Sequence, residues 1–348
     1  MKNNKYEIDM CNGTLMDKLI SFSLPLMLSG ILQLLFNAVD IIVVGRFTGS
    51  QALAAVGSTT ALINIFTNLF IGISLGANVL AARFYASGKE KEMSETVHTS
   101  ITLALISGLV MALAGVLLAR FALNLMGTPN DVIDQSVLYM RIYFLGMPFF
   151  MLYNYGAAIL RAVGDTKRPL FFLVISGMTN AVLNLVLVIV FHMGVAGVAI
   201  GTIVSQLISS ILVLRCLYTS NTSYRLYFSK LGIKTQYLKQ IFQVGIPAGI
   251  QSTVINLSNA LLQSSVNSFG SVAMAGYTAA NNIFGFLYMS VNAVTVLYEF
   301  HQSELWSKET EKNGQSTSGL YDPFCRCDTD PWLWSVFLWT GTSEDLHQ

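Results

Sequence analysis

Charged residues are scarce in this sequence. Of its 348 residues, 11% are charged and 53% are hydrophobic, and the mean hydropathy is +0.57. A soluble domain carries about 25% charged residues, so the composition is that of a membrane protein. The net charge of +1 says nothing about partners, and no basic patch interleaved with aromatic residues suggests a nucleic-acid partner.

Residues for catalysis, metal binding and disulfide bonding are also lacking. We find no nucleophile–base pair or metal cluster, and the glycine run GVAGVAIG (194–201) follows no strand, so it is not a phosphate loop. The four cysteines suggest no disulfide framework. We interpret His98 and His192 as surface residues. The sequence therefore predicts a non-enzyme without cofactor or metal, driven by an ion gradient and not by ATP.

Eight apolar stretches are long enough for membrane-spanning helices, which need about 20 residues. The first 17 residues are polar and the following run is too long for a signal peptide, so the first helix is expected to be an uncleaved anchor. We predict an all-α polytopic membrane protein with spans at 19–44, 52–81, 97–119, 133–159, 170–191, 196–217, 239–266 and 272–297.

Basic residues are concentrated in alternate connections between the spans. Lys2, Lys5 and Lys18 share one side with most later Lys and Arg residues, whereas the opposite connections carry only Arg46 and Arg120. Cytoplasmic loops are enriched in Lys and Arg. We therefore expect a multi-pass protein of the cell membrane with a cytoplasmic N-terminus.

The first span is repeated in the seventh. Pro25 aligns with Pro247, 222 residues later, and Gly49 aligns with Gly270 after a one-residue gap. The repeat unit is then six spans, and an even number gives both copies the same orientation. Parallel repeats with a site between them are typical of secondary transporters. Two complete units would need more residues than the chain has, so the second copy is incomplete.

Polar side chains recur at helical spacing inside several spans. In the first span, Ser29, Gln33, Asn37 and Asp40 lie on one helix face. Such residues often hydrogen-bond neighbouring helices, and for any single residue this packing interpretation is favoured over ligand binding. Stripes on several helices favour a lined cavity instead. We predict a substrate cavity with Gln33, Asn64, Asn68, Tyr139, Asn154, Asn256, Asn259 and Gln263.

Asp40 differs from the other polar residues of the first span because it is an acid in a long apolar run, six residues before the next charge at Arg46. A charge near the bilayer centre costs at least about 2.5–3.5 kcal/mol, so the carboxyl must face a wet cavity, pair with a cation or hold a proton. We interpret Asp40 as the site that loads H⁺ or Na⁺, with a structural ion pair to Arg46 or Arg141 as the alternative. The aligned residue in the second copy is Leu262, so the fold itself does not require the acid.

Residues 15–295 resemble MATE (multidrug and toxic compound extrusion) transporters. The matching stretches are LPLMLSGILQLLFNAVDIIVVGRFTGSQALAAVG, RAVGDTKRP after the fourth span, and IPAGIQSTVINLSNALLQSSVNSFG at the seventh. The resemblance implies a two-lobe helical bundle of twelve helices with parallel six-helix repeats, of which about eight spans are present. It also implies export of organic, often cationic, compounds in exchange for H⁺ or Na⁺.

The resemblance further implies an ion site in the first lobe. In the family, an aspartate of the first helix joins polar residues of the fifth and sixth helices; the matching positions are Asp40, Asn180, Asn184 and Thr202, with Asn37 adjacent. Many relatives carry a second aspartate where this chain has Asn184. Asp40 would then carry the charge change alone, and we favour H⁺ over Na⁺ as the coupling ion.

With this resemblance we divide the chain into five segments. They are a cytoplasmic segment (1–18), the first lobe with six helices (19–218), an inter-lobe loop (219–238), the first two helices of the second lobe (239–297) and an atypical polar tail (298–348). The tail holds nine of the 19 acidic residues and all four tryptophans. A freely chosen back-translation of LYEFHQSELW reads CMSFTSQNYG when shifted by one base, which resembles the loop expected in the family. We hypothesise a frameshift, which sequencing the gene around codons 290–300 would test.

The leading expectation is a multidrug antiporter that acts as a monomer on small organic molecules within the lipid bilayer. Two alternatives stay open: a flippase for lipid-linked oligosaccharides, and a truncated transporter fragment without function. A flippase cavity should carry several cations for a pyrophosphate, and Arg141 is the one candidate. A receptor-like bundle conflicts with the six-span repeat and the cytoplasmic N-terminus.

Overall fold

A computed structural model of the chain describes the backbone of residues 15–285, together with their side chains except those of residues 15–20 and 23. These residues belong to one compact unit, Met1–Asn292. The expectations for residues 1–14, for the end of the eighth span and for the tail 298–348 lie outside the described residues. The proposed boundary between the lobes at 219–238 stays a prediction.

All regular structure in the described part is helical. The helices are α1 (Leu15–Phe47), α2 (Ser50–Ala86), α3 (Glu90–Leu125), α4 (Ile133–Leu145), α5 (Met147–Ala162), α6 (Lys167–Leu185), α7 (Gly194–Thr219), α8 (Thr235–Asn267) and α9 (271–285). A π turn, Val186–Val190, extends α6, and a 3₁₀ turn, Phe228–Lys230, lies between α7 and α8.

The lengths and hydropathies of these helices fit a membrane protein. Among the described residues, five helices are long and apolar enough to cross a membrane, and the bent pair α4–α5 makes a sixth. The seventh predicted span corresponds to α8, whose polar residues keep its hydropathy below that of the others. The eighth predicted span, 272–297, begins in α9, and its residues 286–297 lie outside the described residues.

The sequence repeat has a structural counterpart in α1 and α8. Each of these helices is 33 residues long and contains an internal proline, Pro25 in α1 and Pro247 in α8. Each is followed by a glycine with a positive φ, +104° at Gly49 and +90° at Gly270. This backbone conformation is strained for residues with a β-carbon. The aligned glycines thus make the same tight turn into the next helix.

The fourth predicted span is broken. The structure divides it into α4 and α5, which meet at Gly146 with a bend of 48°. Pro148 lacks a backbone N–H and therefore cannot continue the hydrogen-bonding of α4, while Phe149 and Phe150 start α5 by donating to the carbonyl of Gly146. Our sequence reading treated 133–159 as continuous because it relied on hydropathy alone.

Helices α2 and α8 are in backbone contact. A β-carbon added at Gly72 would lie 2.2 Å from the Cα of Gly249, and one at Gly76 would lie 2.2 Å from the carbonyl oxygen of Ile241. The glycines are spaced by four residues on both helices, Gly72–Gly76 and Gly245–Gly249. This small-xxx-small spacing lets membrane helices approach closely, and it joins α2 of the first copy to α8 of the second.

The loop between α7 and α8 is fastened to α3 by His98. This side chain is only 4% exposed, so our expectation of a surface residue was wrong, whereas His192 is exposed as expected. The Nε2 atom accepts a hydrogen bond from the backbone N–H of Tyr227 at 3.0 Å, and Nδ1 lies 2.6 Å from the carbonyl of Ser94. The residue is buried because the loop covers the end of α3.

We expect Gly108→Ala to destabilise the fold by displacing α5. A β-carbon at this position would lie 2.5 Å from the Cα of Pro148, and backbone cannot move aside as easily as a flexible side chain. Overpacking of this kind costs about 1–3 kcal/mol. Thermal unfolding in detergent measures the effect. The control is Gly276→Ala, a helical site with no atom within 4 Å of the added carbon; equal melting temperatures of the two variants would contradict the prediction.

Candidate functional site

Asp40 lies inside the helical bundle, in the last third of α1. Its side chain is 8% exposed. The amide of Asn184, a fully buried residue of α6, donates a hydrogen bond to Asp40 Oδ1. The structure therefore brings together the two residues at the centre of the predicted ion site.

The hydrogen bonds continue from Asp40 across three helices. Asn184 Nδ2 lies 3.2 Å from Asn180 Oδ1, and Asn180 Nδ2 donates to Thr202 Oγ1 at 3.3 Å. The hydroxyl of Thr202 donates in turn to the carbonyl of Val198 at 3.0 Å. Asp40, Asn180, Asn184 and Thr202, the positions that the family resemblance implies for an ion site, thus form one connected cluster between α1, α6 and α7; their role in ion binding stays a prediction.

Two glycines make this close approach possible. A β-carbon at Gly177 would lie 1.8 Å from the ring of Phe36, and one at Gly201 would lie 2.2 Å from Asn184 Oδ1. Gly177 therefore lets α6 pack on α1 at Phe36, which lies four residues before Asp40. Gly201 lets α7 pack on Asn184. Small residues at helix contacts are the usual means of bringing membrane helices together.

No described cation neutralises Asp40. The ion pairs of the described residues are Arg120–Asp134 at 3.3 Å and Arg168–Asp165 at 2.9 Å. Arg141 is exposed, and its Nε donates to the carbonyl of Val116 at 3.2 Å. Arg46 is exposed as well. The alternative interpretation, a structural ion pair with Arg46 or Arg141, is therefore not formed.

Two buried oxygens beside the cluster have no hydrogen-bond donor. They are Asn184 Oδ1 and Gln206 Oε1. Gln206 interacts with Tyr143, and both Tyr139 and Tyr143 interact electrostatically with Asp40. The site therefore contains a carboxyl, phenols and free amide oxygens, which together could hold a proton or a small cation.

Gln206 and Tyr143 were not among the predicted site residues. Gln206 follows Thr202 by four residues, and Tyr143 follows Tyr139 by four, so each lies one helical turn beyond a residue that was predicted. Extending the polar stripe of the sixth span would have found Gln206. Tyr143 was harder to predict, because the break at Gly146 interrupts the helical spacing of polar residues soon after it.

The other predicted site residues lie in different surroundings. Asn37, Gln33 and Asn259 are exposed, and Asn37 makes no hydrogen bond with the described cluster. Gln263 is buried and donates to Asn267 Oδ1 at 3.0 Å, and Asn267 donates to the carbonyl of Met126 at 2.9 Å. Gln263 thus contributes to packing between α8 and the end of α3.

Three predicted cavity residues are turned towards their own helices. Each amide donates at 2.8 Å to the carbonyl four residues earlier; the residues are Asn68, Asn154 and Asn256. Asn64 is partly buried, and its carbonyl is the acceptor for Asn68. The assignment of these residues to a substrate cavity stays a prediction.

We expect Gly201→Ala to act through Asn184. The added methyl group would displace the Asn184 side chain and break its hydrogen bond to Asp40. A buried polar group that loses its hydrogen-bond partner costs about 1–3 kcal/mol of stability. The double variant Gly201→Ala/Asn184→Ala should then be little less stable than Asn184→Ala alone. Thermal unfolding of the four proteins measures this coupling, with Gly285→Ala as a helical control in ordinary contact. Fully additive losses would contradict the prediction.

Known proteins share much of this sequence. The MatE family model matches residues 25–186. The probable multidrug resistance protein YoeA of Bacillus subtilis is 34% identical over 277 residues, covering 77% of this chain and 59% of that protein. The probable multidrug resistance protein YpnP of the same organism is 29% identical, covering 79% and 61%. The chain thus spans about three fifths of the length of these relatives.

Solved structures show the same fold. An inward-facing multidrug resistance MATE family transporter of the MOP superfamily has a TM-score of 0.67 at 22% identity, covering 82% of this chain and 67% of that one. An outward-facing structure has a TM-score of 0.69 at 20% identity, covering 87% and 73%. The chain thus contains a MatE family domain at residues 25–186 and shares the fold of MATE transporters over most of its length.

Proposed function

We propose that the chain works as a secondary active multidrug transporter, not as an enzyme, and exports small organic, often cationic, compounds in exchange for an ion. The observation that carries the proposal is the buried Asp40 carboxyl, which is hydrogen-bonded to the Asn184 amide and has no ion pair with any described cation. A carboxyl with a purely structural role would be expected to have a fixed counter-charge, whereas a carboxyl that couples transport must bind and release a cation in each cycle. The names of YoeA and YpnP as probable multidrug resistance proteins support the substrate class.

We favour H⁺ over Na⁺ as the coupling ion. Asn184 presents its amide N–H₂ to Asp40, and a second carboxyl is absent from the described cluster, so a single proton on Asp40 would neutralise the site. A sodium ion prefers several converging oxygens. Asn184 Oδ1 and Gln206 Oε1 are available for this purpose, which makes Na⁺ the competing proposal.

The proposed cycle is an exchange at overlapping electrostatic sites. When Asp40 is ionised, its negative charge attracts a cationic substrate into the bundle; when it binds a proton, that attraction is lost and the substrate is released.

Arg141 lies at an exposed position and donates to a backbone carbonyl. This gives no support to the alternative of a pyrophosphate-binding flippase.

We expect Asp40→Asn to bind a cationic dye only as weakly as the protonated site does, at every pH, and to lose the effect of the coupling ion. In the unmodified chain, dye affinity measured by fluorescence polarisation should rise with pH, because protons compete for Asp40; in the variant it should stay flat. Cells that express the variant should accumulate dye like cells that lack the protein. A parallel Na⁺ titration at fixed pH distinguishes the two ions.

The matched control for Asp40→Asn is Asp134→Asn. Asp134 is 81% exposed and pairs with Arg120 at 3.3 Å, so its loss removes the same charge outside the site. Dye binding by this control should keep its pH dependence. An unchanged pH dependence and normal dye efflux in Asp40→Asn would refute the role of Asp40.

We also propose that the N-terminus and the turn between α2 and α3 face the cytoplasm, as the distribution of basic residues predicts. In a chain whose four cysteines are replaced by serine, a membrane-impermeant maleimide added to intact cells should label Asn130→Cys and not Ser87→Cys. Both positions are exposed in turns at opposite ends of α3. Inside-out vesicles serve as the control and should give the reverse pattern. Labelling of Ser87→Cys on intact cells would show the opposite orientation.

A further inference from the structure

A groove outside the Asp40 site opens where α2, α3 and α8 end on one side of the bundle. Its volume is about 540 Å³. The last turns of α2, the first turn of α3 and the first turns of α8 line it. The groove therefore lies between the first and second copies of the repeat, at the level where membrane helices reach the lipid headgroups.

The charge of the groove is suited to an anion. Arg83 and Lys89 line it and are exposed, and neither belongs to an ion pair of the described residues. Glu92 is the one acid in the lining. The charged side chains of the lining, two basic and one acidic, thus have a net charge of +1, and Glu95 interacts with Tyr237 at the edge of the groove.

Hydrogen-bond donors from α8 add to this charge. Gln236, Gln240 and Gln243 line the groove at helical spacing and can present amide N–H₂ groups to an acceptor. The groove also receives the first turn of α8, a 33-residue helix whose N-terminal end is the positive end of its dipole. A ligand with several acceptor oxygens and a negative charge would fit both features.

The groove has an apolar floor and an apolar membrane end. Phe84 and Tyr237 are buried and pack edge to face with ring centroids 5.7 Å apart. Val79 and Val244, about one turn further into the bundle, also line the groove and are 45% and 42% exposed. A soluble anion would leave this apolar surface uncovered, whereas the acyl chains of a lipid would cover it.

We propose that this groove binds the phosphodiester headgroup of an anionic phospholipid, with Arg83 and Lys89 contacting the phosphate and the acyl chains passing Val79 and Val244. Basic pockets between helices are general sites for anionic headgroups. The bound lipid would bridge α2 and α8 next to their backbone contact at Gly76 and Ile241. It would therefore stabilise the association of the two copies, whichever substrate the protein carries.

The test is lipid retention and thermal stability of the purified full chain in neutral detergent. Phosphatidylglycerol, phosphatidylcholine and the soluble phosphodiester glycerophosphoglycerol are titrated separately, with bound molecules counted by native mass spectrometry. We expect phosphatidylglycerol alone to be retained and to raise the melting temperature. Equal retention of phosphatidylcholine would overturn the proposal. Equal protection by glycerophosphoglycerol would overturn the assignment to a lipid.

Variants identify the groove as the binding site. Arg83→Gln/Lys89→Gln should weaken the apparent affinity for phosphatidylglycerol roughly tenfold or more, the scale expected for two basic residues near an anionic headgroup. Arg46→Gln/Arg120→Gln removes the same charge at the opposite helix ends and should leave the affinity unchanged. Glu92→Gln should strengthen binding, which gives a test that does not depend on the folding of the first variant. Unchanged affinity in either groove variant would overturn the proposal.

Discussion

The hydrogen bond from the Asn184 amide to the Asp40 carboxyl is the interaction on which the arrangement of α1, α6 and α7 depends. An ionised carboxyl among apolar helices is costly unless it is paired, hydrated or protonated, and no described cation pairs with Asp40. The amides can reach it only because Gly177 and Gly201 leave the space that a β-carbon would fill. Packing and polar chemistry are therefore one constraint in this part of the molecule.

The same supersecondary unit serves different purposes in the two copies. Helices α1 and α8 share their length, an internal proline and the following glycine turn. The position of Asp40 is taken in α8 by Leu262, which is exposed, while the buried Gln263 and Asn267 bond towards Met126 and hold helices together. In the described residues, polar side chains of the first copy surround an acid, and those of the second contribute to packing.

Hydropathy, glycine positions and polar spacing predicted most of the helices and the repeat, whereas the grouping of Asn180, Asn184 and Thr202 with Asp40 was implied by the family resemblance. These features are local, or they recur at a fixed period along the chain. The features that were missed depend on tertiary contacts. His98 is buried by a loop more than 120 residues away in sequence, the break at Gly146 follows from backbone hydrogen-bonding, and Gln206 joins the site only when α7 packs beside α4. The spacing of polar residues also did not predict that Asn37 is exposed, because it identifies the residues that share a helix face but not what packs against that face.

A change at Asp40 can influence α8 only through helices that contact both regions. Of the described helices, α2 packs against α1 and α7 and also against α8. Its contact with α8 is made by backbone at Gly72 and Gly76, which leaves no flexible side chains to absorb a shift. A displacement of α2 would therefore be passed to α8 as a movement of the whole helix, which is the kind of rigid-body motion that alternating access requires. The groove at Arg83 and Lys89 lies at the end of this same contact, so a ligand bound there would act on the element that connects the two copies.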